Sequence, residues 1–81
     1  MATFDFSMSK KDAIISVKKA LNGKMAILSD KNDCLTVGSP MMTAKICFEE
    51  GKVTTSASLF GKVIIGTVDS TLELIDGFEK N

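Results

Sequence analysis

The chain has 81 residues, 44% of them apolar and 25% charged, with ten lysines balancing ten carboxylates. A domain this short buries only about 60% of the surface its unfolded chain exposes, so a thin core is expected, with association as a source of further burial. Zero net charge and the lack of arginine argue against nucleic acid as a partner, and no apolar run has the length of a signal peptide or membrane span.

From the start of the chain, Phe4, Phe6 and Met8 alternate with Asp5 and Ser7, the pattern of a short strand or of an extended arm tucked under the core. The period then changes. Ser9 is placed to cap a helix, with Asp12 three residues on, and Ala13, Ile14, Val17, Ala20 and Leu21 recur at helical spacing. Asn22 and Gly23 end it, because glycine suits the left-handed position that follows a helix.

From Lys24 to Phe60 the period is two. Met25, Ile27 and Leu28 make one strand, Ser29 to Asp33 a turn, and Leu35 and Val37 a second strand stopped at Gly38, Ser39 and Pro40. Met42, Ala44, Ile46 and Phe48 form a third strand, and Val53, Thr55, Ala57 and Leu59 a fourth. With Glu50 and Gly51 as the loop, Phe48 faces Val53, Ile46 faces Thr55, Ala44 faces Ala57 and Met42 faces Leu59. A one-residue slip would set apolar against polar positions, so the pattern fixes the register.

Phe60, Ile64, Val68, Leu72 and Ile75 then fall on one helical stripe and predict a helix over most of Lys62 to Glu79. A short strand over Lys62 to Gly66, with Ser70 capping a shorter helix, is the rival reading. The expected architecture is a single α+β domain over residues 1–81. It is a two-layer sandwich in the order helix, four-stranded antiparallel sheet, helix, with both helices on the apolar face.

The inventory for chemistry is poor. Histidine, tyrosine and tryptophan are missing from the chain, which removes the usual general base near neutral pH and the commonest zinc ligand. Cys34 and Cys47 sit on neighbouring predicted strands and point to the same polar face, so they could lie close together as a redox pair or half of a shared metal site. With no CxxC spacing and no cationic neighbour evident along the chain, the reading preferred is two strand thiols kept reduced. Asp30, Asn32 and Asp33 have the flavour of a calcium loop, but Leu35 and Met41 stand where such a loop needs glycine and glutamate, and a turn is expected instead. Gly61 and Gly66 have phosphate-loop spacing with Thr67 in place of the lysine. No catalytic residue, metal site or cofactor is expected.

One segment carries more apolar residues than a core needs. A stripe facing the sheet uses Phe60 and Ile64, leaving Val63 and Ile65 to pack under Phe4 and Phe6 or to join a contact patch of Leu59, Phe60, Val63, Ile64 and Ile65. Met41 and Met42 beside the proline turn add adaptable contact residues.

The order of elements resembles the polyhydroxyalkanoic acid system proteins, small granule-associated bacterial domains. The likeness runs through Phe4-Asp5-Phe6, the helix around Asp12-Ala13, the hairpins Leu28 to Leu35 and Met42 to Leu59, then Leu59-Phe60-Gly61 and the segment from Gly66 through Leu72 and Ile75. It lies in topology and hydrophobic spacing. The first helix here is shorter, and the histidine that family tends to carry before it is missing. The resemblance implies a non-enzymatic, granule-associated or regulatory protein and carries over no functional residue.

The expectation is therefore a cytoplasmic interaction or accessory domain without enzymatic activity, forming a homodimer or docking a protein partner or hydrophobic surface. The alternative is a carrier that holds an apolar small molecule or lipid between the sheet and the C-terminal helix.

Overall fold

The alternation at the start of the chain is strand β1, Ala2–Phe6, in a computed structural model that describes residues 1–81. Phe4 and Phe6 are buried and Asp5 between them is exposed, as a period of two requires. Helix α1, Lys10–Leu21, follows as the spacing predicts: Ser9 caps it by accepting the Asp12 N–H at 3.1 Å, and Ala13, Val17 and Leu21 bury one stripe. Asn22 donates back to the Lys18 carbonyl, and Gly23 turns the chain at φ +84°.

Strands β2, Ala26–Lys31, and β3, Cys34–Ser39, form a hairpin whose loop is only Asn32 and Asp33. Both residues have positive φ, 56° and 60°, which is the two-residue turn that matches strand twist and that Asn and Asp tolerate best. The predicted turn from Ser29 is thus too long; Ser29, Asp30 and Lys31 pair with Thr36, Leu35 and Cys34. A bulge between Ile27 and Ser29 interrupts this edge strand. Strands β4, Met42–Glu49, and β5, Lys52–Ala57, hold the predicted register, Phe48 opposite Val53, Ile46 opposite Thr55 and Ala44 opposite Ala57. The expected pair of Met42 with Leu59 does not form, because β5 ends at Ala57.

Helix α2 spans Lys62–Glu73, so residues 62–66 are helical. Val68 and Leu72 are fully buried, and Ile64 and Ile75 are half-buried against the core. The helix does not continue to Glu79. Gly77 at φ +91° reverses the chain, and Phe78–Lys80 forms a short strand, β6, along β1. Phe78 stacks on Phe6 with ring centroids 5.5 Å apart.

The sheet consequently has six antiparallel strands, in the order β2-β3-β4-β5-β1-β6, where the sequence predicted four. The two extra strands are the chain ends: β1 pairs with β5 through Phe4 opposite Val53, and β6 closes the outer side of β1. Alternate residues Leu35, Val37, Ala44, Ile46, Phe48 and Val53 join Phe4 and Phe6 of β1 and the buried apolar residues of both helices in a single cluster of thirteen. Their neighbours Thr36, Lys45, Glu49, Thr54 and Ser56 are half-buried or exposed. The buried Thr55 hydroxyl donates to Asp69 of α2 at 2.7 Å and accepts the Ala2 N–H at 3.2 Å, tying β5, α2 and β1 at one point.

A candidate contact surface at the start of the second helix

The link from β5 to α2 folds tightly against the start of β4. Ser58 Oγ donates to the Thr43 carbonyl at 3.1 Å and accepts the N–H groups of Thr43 and Gly61 at 3.2 and 3.1 Å. The Ser58 N–H also donates to the Thr43 carbonyl at 3.0 Å. The backbone at Gly61 comes so close that a Cβ there would lie 1.8 Å from the Thr43 carbonyl oxygen. Gly38 meets the same limit: its φ is +113°, and a Cβ would lie 2.2 Å from the Met42 carbonyl oxygen and 2.7 Å from Ile64 Cδ1. These four hydrogen bonds of Ser58 and two glycines thus seat residues 58–64 on the end of the β3–β4 hairpin.

That seating turns large apolar side chains outward. Leu59, Phe60 and Val63 are 73%, 61% and 72% exposed. Phe60 does not belong to the buried stripe the spacing assigned it to, because it precedes the first helical turn. Ile64 and Ile65 are half-buried and packed against the core, so they form the base of the patch rather than its face. Met41 in the β3–β4 turn and Met42 beside Thr43 are also exposed and stand at this end of the molecule. Sequence reasoning singled out the five apolar residues between 59 and 65 and the two methionines but not Ser58, whose role shows only in its hydrogen bonds to Thr43 and Gly61.

The patch borders an open groove of about 490 Å³ lined by Lys24, Lys62, Val63, Thr67, Ser70 and Leu74. Lys24 Nζ donates to the Thr71 hydroxyl at 3.3 Å, bridging the end of α1 to α2. A second open groove of about 430 Å³ lies between β1 and β6, bounded by Asp5, Phe6, Ser7, Phe78 and Glu79. Most of the residues that line each groove are polar or charged.

On the other side of the sheet, Cys34 and Cys47 are joined in a disulfide. This overturns the expectation of two separate reduced thiols. They are direct partners across β3 and β4, their Cα atoms are 4.1 Å apart, and the Phe48 N–H donates to the Asp33 carbonyl at 2.8 Å just beside them. That pattern marks a non-hydrogen-bonded pair, the position in an antiparallel ladder where opposed side chains come closest.

Charge is used sparingly. Lys10 pairs with Asp33 at 2.9 Å, Lys18 with Asp30, and Lys80 with Glu73 at 3.8 Å. The first two fasten α1 to the β2–β3 hairpin. The hydrogen bond and charge of Asp33 hold the Lys10 ammonium above the ordinary lysine range. None of the helices is long and apolar enough to cross a membrane. Comparison with family models, with curated proteins and with solved structures finds no match.

Proposed function

We propose that the chain is a small interaction or accessory domain without enzymatic activity, which self-associates through the corner where α2 meets the β3–β4 hairpin. The observation that carries this reading is the shared exposure of Leu59, Phe60, Val63, Met41 and Met42 on a chain whose core holds only thirteen residues. A rigid apolar corner beside flexible methionines is suited to contact, and a thin core gains most from covering it. In this reading both helices roof the apolar side of the sheet in a two-layer arrangement, leaving the corner at its rim.

Sedimentation at micromolar concentration tests it. A dimer that dissociates when Leu59, Phe60 and Val63 are together changed to serine supports the proposal; a monomer at every concentration removes it. Flotation with apolar droplets provides a separate check on the hydrophobic surface implied by the resemblance to granule-associated proteins. The carrier alternative has less support, since the space between sheet and α2 is occupied by fully buried Ile46, Val53, Val68 and Leu72. A cytoplasmic location agrees with a bonded cysteine pair only if that pair is cycled by thiols.

A further inference from the structure

We propose that Cys34 and Cys47 form a thiol–disulfide exchange site for small thiolate donors, with Cys47 the sulfur attacked and Cys34 the leaving thiolate. Access comes first. The pair lies on the polar side of the sheet, both residues are half-buried rather than enclosed, and their neighbours in the ladder are Lys31, Thr54 and Thr36 with Lys45. A reductant reaches it without opening the core.

The second argument is charge. Lys31 is the direct partner of Cys34 across β2 and β3, and Lys45 stands two residues before Cys47 on the same side. Neither is engaged in the three ion pairs of the chain, which use Lys10, Lys18 and Lys80. A neighbouring ammonium lowers the pKa of a departing thiol and so speeds its release. The acidic groups nearby are Glu49, two residues after Cys47 and opposite Lys52, and Asp33, which is bonded to Lys10. Beside Cys47 the cation Lys45 is offset by Glu49 on the same strand and face, and the other cross-strand neighbour of Cys47 is the neutral Thr54. Lys31 stands directly opposite Cys34 without such an offset, so the balance of charge is more positive at Cys34. The linear sequence hides this arrangement, since Lys31 reaches Cys34 only through the two-residue turn.

The third argument is tolerance. The β3–β4 hairpin is held by six paired positions from Cys34 with Cys47 to Ser39 with Met42, so its register does not depend on the sulfur bridge. In the forward step a glutathione thiolate bonds to Cys47 Sγ as the Sγ–Sγ bond breaks, and the electron pair leaves on Cys34. A second glutathione thiolate then attacks the mixed disulfide, releasing oxidised glutathione and the Cys47 thiolate. Two electrons pass from two glutathione molecules to the protein, and both thiolates take protons from water.

Native protein in buffered mixtures of reduced and oxidised glutathione tests the proposal. Reversible conversion between disulfide and dithiol with retained circular dichroism is expected, and acid-trapped intermediates carry glutathione on Cys47. Lys31→Gln slows reduction about two- to threefold, the size expected for a modest rise in leaving-group pKa, while Lys62→Gln leaves it unchanged. The double variant Cys34→Ala/Cys47→Ala stays folded. Reduction only after denaturant is added, loss of the fold in the double variant, glutathione trapped chiefly on Cys34, or equal rates in the Lys31 and Lys62 variants would each overturn it.

Discussion

Gly61, which precedes α2, and Gly66 within it have opposite uses, although both lie in the same apolar segment. Gly61 is pressed against the Thr43 carbonyl with no room for a Cβ, whereas Gly66 has nothing within 4 Å. Gly61→Ala must push the helix start off β4, and overpacking of that kind costs about 1–3 kcal/mol. Gly66→Ala only removes backbone freedom from the unfolded chain and adds helix propensity, for a gain of about 1 kcal/mol. Urea unfolding of the two single variants should therefore move the midpoint in opposite directions. The same contrast explains why Phe60 is outward: the helix starts where the Gly61 contact allows, one residue after it.

At the level of elements, α1 is set by its own cap and stripe but positioned by ion pairs to the β2–β3 hairpin. Asp33 raises the Lys10 pKa above 10.5, its ordinary value. A raised lysine contributes stability while the ammonium is charged in both folded and unfolded chains, and that contribution is lost as the pH climbs through the folded value. Wild type and Lys10→Met should thus differ in melting temperature near neutrality and converge above pH 10.5. A difference that persists unchanged after the pH has passed through the Lys10 titration would contradict this account of the pair. The short strand β6 offers a second check, because Phe78 is the one of its three residues that is not exposed. Phe78→Ala removes the stack on Phe6 and part of the core's rim, with an expected loss of about 1–2 kcal/mol by chemical denaturation.

For the whole molecule, the order of strands matters more than their number. The sequential hairpins β2 to β5 would form a four-stranded sheet with β5 at its edge, but β1 and β6 cover that edge. The open edges are then the bulged β2, with Ile27 and Leu28 partly exposed, and the three-residue β6. A bulge and a very short strand both discourage edge pairing. For the proposed self-association this favours the apolar corner over a sheet edge, and it is why the serine variants of Leu59, Phe60 and Val63 are the decisive test.

Local pattern was enough to read helix α1, the buried stripe of α2 through Val68 and Leu72, the β4–β5 register and the surplus of apolar residues from Leu59 to Ile65, but it left residues 62–66 open between helix and strand. Each of these rests on spacing within a dozen residues: a cap, a stripe or an alternation. Strand β6 was not legible, since three residues after a glycine carry no measurable period and acquire strand geometry only from pairing with β1. The outward turn of Phe60, the role of Ser58 and the joining of Cys34 to Cys47 beside Lys31 were likewise settled by tertiary packing. Each depends on which distant backbone lies alongside, and residue spacing along a chain does not encode that distance.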